Sequence, residues 1–151
     1  MKINFGEISI EKNEPITVYD AAAEAGIISR AVLAAKVNGE VRALTYAIDG
    51  DADVKLLTFA DPEGAQVFRH TASHVLAQAV KRLYPETKLT IGPAIEGGFY
   101  YDFDSAVSFT ADALAAIEGE MKKIVKENHK IERFELPRAE AIAFRTERDE
   151  P

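Results

Sequence analysis

The sequence contains no cysteine, only three histidines and no apolar run long enough to cross a bilayer. The missing cysteines exclude disulfides and thiolate zinc sites within these 151 residues, and they fit a protein of the reducing cytoplasm. A membrane-spanning helix would need about 20 consecutive apolar residues, and the amino terminus lacks a signal-peptide pattern. We therefore expect a cytoplasmic protein that makes no use of a membrane.

The charge of the chain is acidic overall but unevenly distributed. Its net charge of −7 would repel nucleic acid if it were spread evenly. Basic residues nevertheless cluster at two places, and these are Lys81, Arg82 and Lys88, then Lys122, Lys123, Lys126 and Lys130. A local basic face can meet phosphates, although a solvated helix surface is the more ordinary explanation of the second cluster. Hydrophobic residues make up 47% of the chain, enough to bury a core.

Residues 1–60 carry the pattern of a small α+β module. Alternating or β-branched segments predict strands at residues 2–5, 7–10, 32–37, 40–43 and 54–58. The pair Asn38-Gly39 predicts a tight hairpin turn. Thr17 and Asp20 have capping-box spacing, which predicts that a short helix starts after Thr17. This module contains no histidine and no phosphate loop, so we interpret it as a binding or positioning module.

A long helix is predicted to open the second module. Asp61 is a good N-cap residue, and Pro85 disfavours helical geometry at the residue before it, so the helix should end near residue 84. It carries His70 and His74. Residues four apart on a helix lie on one face, about 6 Å apart along the axis. The two imidazoles can therefore act on one bound group.

Three chemistries can use two histidines at this spacing. A zincin requires a glutamate directly after the first histidine, but Thr71 follows His70. Another zinc site needs a third ligand, and the remaining histidine is His129. A metal-free hydrolytic site can use neutral imidazoles to orient or deprotonate water. A dyad with Ser73 is disfavoured, because adjacent residues on a helix do not face each other.

The remainder of the second module alternates short strands and helices. We predict a strand at 87–91, irregular glycine-rich backbone at 92–98, an aromatic strand at 99–104, a helix from residue 110, a strand at 130–136 and a helix at 138–145. The glycines would let a ligand approach the backbone closely. An apolar stripe on the first of these two helices is predicted to be core, and it consists of Leu114, Ile117, Met121, Ile124 and Val125.

Three runs in the second module, taken with their spacing, closely resemble the amino-terminal half of bacterial-type threonyl-tRNA synthetases. They are Arg69-His70-Thr71-Ala72-Ser73-His74, Leu83-Tyr84-Pro85 and the segment from Ile91-Gly92-Pro93 through Gly97-Gly98-Phe99-Tyr100-Tyr101-Asp102. In that family a ubiquitin-like β-grasp module, called TGS, precedes an editing domain that opens with a His-x-x-x-His helix. The resemblance implies an α+β chain, with a TGS domain at residues 1–60 and a truncated editing domain at 61–151.

The resemblance also implies a function. Such editing domains hydrolyse seryl-tRNA that the threonine enzyme makes in error. Serine lacks only one methyl group of threonine, which limits discrimination to about 1–3 kcal/mol, so a second, hydrolytic sieve is needed. By match to the family motif, His70 and His74 would activate or position water. Gly92 and Tyr101 would contact the terminal adenosine or the aminoacyl group, and no metal is implied at this site.

The chain departs from the family pattern in what it lacks. It has no Cys-x-x-x-His motif to complete the editing site, and it has neither the class II catalytic domain nor the anticodon-binding domain. We therefore expect a fragment of an ATP-dependent threonine–tRNA ligase that is inactive alone and binds no cofactor. The full-length family uses ATP, Mg and a catalytic-domain zinc. The implied partner is the aminoacylated 3′ end of threonine-specific tRNA. The family is homodimeric, and apolar surface left uncovered would favour self-association of the fragment.

Two other interpretations remain open at this stage. TGS-like domains also occur in regulatory proteins, where they bind partners without catalysis. The alanyl-type editing domains resemble this site in using a His-x-x-x-His motif, often with zinc, but they lack a leading β-grasp module. Bound stoichiometric zinc would favour the alanyl-type interpretation.

Overall fold

The computed structural model of the chain describes residues 1–131 and 134–147. Its architecture is mixed α+β, which confirms the predicted fold class. The chain forms two compact units, one of residues 1–72 with 94–99 and the other of residues 73–93 with the described part of 100–151. The border between them falls inside the long helix. The division into sequence modules at residue 60 stays a prediction.

The first unit is built on a five-stranded mixed sheet. Between residues 1 and 58 the elements are β1 (Lys2–Phe5), β2 (Ile8–Glu11), β3 (Ile16–Thr17), α1 (Val18–Glu24), β4 (Val32–Val37), β5 (Glu40–Arg42), β6 (Ala47–Ile48) and β7 (Ala52–Thr58). The sheet has the order β2-β1-β7-β4-β5. Strands β1 and β7 pair in parallel, and the other neighbours are antiparallel. The short antiparallel pair of β3 and β6 was not predicted.

Both predicted hairpins are confirmed. Gly6, between β1 and β2, has a φ of 77°. The turn between β4 and β5 places Asn38 at φ 49° and Gly39 at φ 88°. Positive φ at both central residues is the requirement of a type I′ turn, which matches the twist of the flanking strands.

Helix α1 is capped as its sequence predicts. Thr17 Oγ1 accepts a hydrogen bond from the Asp20 N–H at 3.0 Å, and it donates one to the Asp20 carboxylate at 2.6 Å. The helix packs its apolar face on the sheet. The buried residues of this core are Ile3, Val18, Ala21, Ala35, Val37, Ile48, Ala52 and Val54.

Helix α2 (Pro62–Leu83) has the bounds that the sequence predicts. It is followed by four two-residue strands, β8 (Lys88–Leu89), β9 (Ala94–Ile95), β10 (Gly98–Phe99) and β11 (Phe103–Asp104). Antiparallel pairs join β9 to β10 and β8 to β11.

Two predictions in this region require correction, the irregular backbone at 92–98 and the strand at 99–104. Residues 92–98 are not wholly irregular, because β9 and β10 form a hairpin with Gly97 at φ 83° in its turn. Residues 99–104 are not one continuous strand, because the chain leaves β10 after Phe99 and pairs again only at β11. Between these strands, Thr90 N–H donates to Asp102 O at 3.1 Å and Asp102 N–H donates to Ile91 O at 2.8 Å. These bonds continue the β8–β11 ladder by one step.

The second unit contains α3 (Ala111–Glu127) and α4 (Arg138–Thr146). Thr110 caps α3 by accepting the Ala113 N–H at 3.3 Å, and Asn128 ends it in the left-handed conformation at φ 50°. The core of this unit joins α2 to α3 through four buried residues, Ala79, Val80, Ile117 and Ile124.

Two further sequence predictions for the second unit are wrong. The stripe of α3 is core at Ile117, Met121 and Ile124, but Leu114 is 57% and Val125 67% exposed. The predicted strand at 130–136 is absent from its described residues, 130–131 and 134–136, where no neighbouring strand supplies a ladder. The other two residues of that predicted strand, 132 and 133, lie outside the described residues. Phe134 instead packs edge-to-face on Phe144 of α4, with ring centroids 5.6 Å apart.

Candidate functional site

Helix α2 presents the two histidines to its exposed side. His70 and His74 lie one turn apart on α2 and both are exposed. Ser73, by contrast, is fully buried, and Ala77 and Val80 share its buried side of the helix. The adjacent side chains of Ser73 and His74 therefore meet different surroundings, as the helical geometry predicts.

Gly92 and Tyr101 are brought into direct contact. A Cβ atom built on Gly92 would lie 2.1 Å from Cδ2 and 2.3 Å from Cε2 of the Tyr101 ring. The hydrogen bonds between Thr90, Ile91 and Asp102 hold the two segments together beside this contact. Gly92 therefore serves close approach, since any side chain would collide with the ring.

Tyr101 also belongs to a row of aromatic rings. It stacks on Phe103 with centroids 4.8 Å apart and planes 13° apart. Phe103 meets Phe109 at 5.6 Å, and Phe109 meets Tyr84 at 6.1 Å, both near edge-to-face. Such pairs stabilise the packing of aromatic cores. The Tyr101 ring is thus held in place by packing on one side and by the Gly92 backbone.

The four predicted site residues form two groups in the structure. His70 and His74 share one face of α2, whereas Gly92 and Tyr101 meet near the β8–β11 pair. Their functional roles stay predictions. Among residues 1–131 and 134–147, no three His, Cys, Asp or Glu side chains gather into a group that could hold a metal ion.

Three basic residues of the second unit, Arg82, Lys122 and Lys123, form ion pairs. Arg82 binds Glu127 through two hydrogen bonds of 2.7 Å and contacts Glu120 at 3.3 Å. Arg82, followed by a hydrogen bond from His129, lowers the pKa of Glu127 to about 2. On α3, Lys122 pairs with Glu118 and Lys123 with Glu120. These pairs suit the solvated-surface interpretation of the second basic cluster better than a phosphate-binding one.

In the part of the chain that the structure describes, no helix combines the length and apolarity needed to cross a bilayer.

The sequence is similar to curated threonine–tRNA ligases along nearly its whole length. It is 56% identical over 149 residues to the enzyme of Clostridium kluyveri, which is 98% of this chain and 23% of that protein. It is 54% identical over 153 residues to the enzyme of Acetivibrio thermocellus and 52% over 152 residues to that of Clostridioides difficile. The chain matches one region of the threonine–tRNA ligases. The resemblance found in the sequence motifs is thereby confirmed.

The match to threonine–tRNA ligases covers a small share of each relative. The chain spans about 23% of the length of the C. kluyveri ligase and 24% of the other two. No family model matches the sequence. What the whole ligases bind and catalyse is therefore carried to this chain only as a proposal.

Proposed function

We propose that this chain is the part of a threonine–tRNA ligase that positions tRNA and begins an editing site for seryl-tRNA. One observation carries the proposal: two exposed histidines stand one turn apart on α2 in a chain similar to these ligases over nearly all its residues. The five strands β1, β2, β4, β5 and β7 carry no histidine, which suits a positioning role for the β-grasp-like sheet. The proposed partner is threonine-specific tRNA, bound through its aminoacylated 3′ end.

The proposed reaction is hydrolysis of the ester between serine and the terminal ribose. A neutral imidazole of His70 or His74 accepts a proton from water as the water oxygen bonds to the ester carbonyl carbon. The carbon–oxygen bond to the ribose then breaks, and the ribose oxygen takes the proton back from the imidazolium. The products are serine and uncharged tRNA. Imidazole suits this role because its ordinary pKa lies near neutrality.

Gly92 and Tyr101 are proposed to form part of the surface that meets the adenosine or the aminoacyl group. The Tyr101 ring, fixed between Gly92 and Phe103, offers a rigid aromatic surface. A rigid contact costs little conformational entropy on binding.

We propose that the remainder of the ligase carries threonine activation, the binding of ATP, Mg and zinc, and the homodimer contacts of the family. We expect the protein to act in the cytoplasm, where tRNA is charged.

The test is hydrolysis of seryl-tRNA for threonine by a full-length ligase that carries this chain. We expect His70→Ala and His74→Ala each to lower the hydrolysis rate about 100-fold, the lower range for loss of a general base. Threonylation should be unchanged. Gln78→Ala is the matched control, because Gln78 is exposed on the same helix. The 151-residue chain alone is assayed in parallel, and we expect it to be inactive.

Hydrolysis at the parent rate by the His70→Ala/His74→Ala double variant would overturn the editing assignment and leave a non-catalytic TGS-type binding module. Stoichiometric zinc that disappears with either substitution would instead favour a zinc-dependent site of the alanyl type.

A further inference from the structure

The junction between β7 and α2 is closed by hydrogen bonds to one carboxylate. Asp61, directly before α2, accepts the Thr58 N–H at 3.0 Å and the Thr58 hydroxyl at 3.2 Å. Lys55 of β7 donates to the same carboxylate at 2.7 Å. The Asp61 carbonyl in turn accepts the Ala65 N–H at 2.9 Å, which is the first backbone bond of the helix. One residue thus joins the end of the strand to the start of the helix.

The first turn of α2 touches the strand end at its backbone. A Cβ atom on Gly64 would lie 2.0 Å from the carbonyl oxygen of Thr58 and 2.8 Å from its carbonyl carbon. Gly64 is buried. Because the obstacle is backbone rather than a flexible side chain, no substitution fits without moving the helix away from β7.

A second strand also holds this turn. Glu63 pairs with Lys36 of β4, the strand next to β7 in the sheet. Lys36 lowers the pKa of Glu63, and Lys55, followed by the Thr58 backbone, lowers the pKa of Asp61 to about 2. Both carboxylates are therefore charged at neutral pH, and the first turn of α2 is attached to two neighbouring strands.

We infer that Asp61 and Gly64 are positioning residues that fix the direction of α2 on the sheet and so place His70 for hydrolysis. This inference rests on the proposed editing function. His70 lies nine residues beyond Asp61, about 13 Å along the helix axis at 1.5 Å per residue. A tilt of about 10° at the junction would move His70 by about 2 Å over that length. Misplacement of a catalytic group by about 1 Å can lower a rate about 100-fold.

The first arm of the experiment measures the direction of α2 in the 151-residue chain. The absence of cysteine allows two spin labels to be attached at Arg42→Cys in β5 and Gln66→Cys in α2, both exposed positions. We expect one narrow distance distribution for the parent. Asp61→Ala and Gly64→Ala should each broaden or shift it. The matched controls are Gly50→Ala, where an added Cβ meets no atom within 4 Å, and Lys12→Ala, which breaks an ion pair with Glu24 of α1.

The second arm measures seryl-tRNA hydrolysis in the full-length ligase. We expect Asp61→Ala and Gly64→Ala to lower kcat tenfold or more, with KM and threonylation unchanged and both controls within twofold of the parent. Unaltered label distances, unaltered hydrolysis, or an equal loss of threonylation would each overturn the inference. His70→Ala is assayed beside them. If His70→Ala keeps full activity, the proposed function fails; if it is inactive while the junction variants are active, only this inference fails.

Discussion

A methyl group on Gly92 would lie 2.1 Å from Cδ2 of Tyr101, far inside van der Waals contact. Its distance to Cγ, at the base of the ring, would be 2.8 Å. A small rotation of the ring therefore cannot relieve the collision, and the ring is confined further by its stack on Phe103. The backbone of Gly92 forms one wall of the space that the Tyr101 ring occupies.

We expect Gly92→Ala to destabilise the chain by about 1–3 kcal/mol, the usual cost of overpacking. The midpoint of urea unfolding, followed by far-UV circular dichroism, measures the change. Gly98→Ala is the control, because a Cβ there meets no atom within 4 Å. Equal midpoints for the Gly92 variant and the parent would contradict the contact.

Ile117 should be the more sensitive of two large residues on α3. It is 3% exposed and belongs to the core between α2 and α3, whereas Leu114 on the same helix is 57% exposed. We expect Ile117→Ala to cost about 2–5 kcal/mol because it leaves a cavity. Leu114→Ala should stay within about 0.5 kcal/mol. A larger loss for Leu114→Ala in the same unfolding assay would refute this arrangement.

Gly119, in the interior of α3, is a site for stabilisation. No atom lies within 4 Å of a Cβ built there. Alanine in a helix interior is favoured over glycine by about 0.5–1 kcal/mol, so Gly119→Ala should raise the unfolding midpoint. A lower midpoint would show that another part of the protein occupies the space around Gly119.

The ion pair of Arg82 with Glu127 should make stability depend on pH in the acid range. Arg82, then His129, lowers the pKa of Glu127 from 4.5 to about 2. A carboxyl whose folded pKa is lowered stabilises the fold above its unfolded pKa and loses that effect as pH falls through the folded value. The stabilisation of the fold by the Arg82–Glu127 ion pair should therefore decrease as the pH falls from 4.5 to about 2.

Thermal unfolding of the parent and of Arg82→Gln tests this dependence. The difference in Tm should be largest near neutral pH and should shrink as the pH falls across that range. Lys122→Gln, which removes the partner of Glu118 on the exposed surface of α3, is the control and should change Tm less. A Tm difference between the parent and Arg82→Gln that stays constant down to pH 2 would exclude Glu127 as the titrating partner of Arg82.

Short-range signals in the sequence predicted most of the first unit. The turn at Asn38-Gly39 and the cap at Thr17 depend on residues within four positions of each other, so both can be read locally. The alternation at 130–136 failed because a strand exists only with a partner strand. The prediction that Leu114 is core failed for a related reason, since burial depends on which elements pack against α3, and the apolar stripe alone does not indicate them.

The candidate site could be predicted only in part. The spacing of His70 and His74 fixes their common face from helical geometry alone. The approach of Gly92 to Tyr101 depends on the pairing of β8 with β11. Strands of two residues are too short to be predicted from a sequence pattern. The junction of Lys36 with Glu63 joins residues 27 positions apart. No local pattern indicates such a pair.

The hairpin turn at Asn38 also affects the rate at which this residue deamidates. In a flexible Asn-Gly sequence, the glycine nitrogen attacks the asparagine amide carbon, which leads through a succinimide to aspartate or isoaspartate. Here the Asn38 side chain accepts the Asp53 N–H at 2.9 Å and donates to Asp51 O at 3.5 Å, which restrains the amide. Isoaspartate, measured by mass spectrometry, should therefore accumulate faster in unfolded than in folded protein. Folding thus protects the covalent structure of the chain as well as its shape.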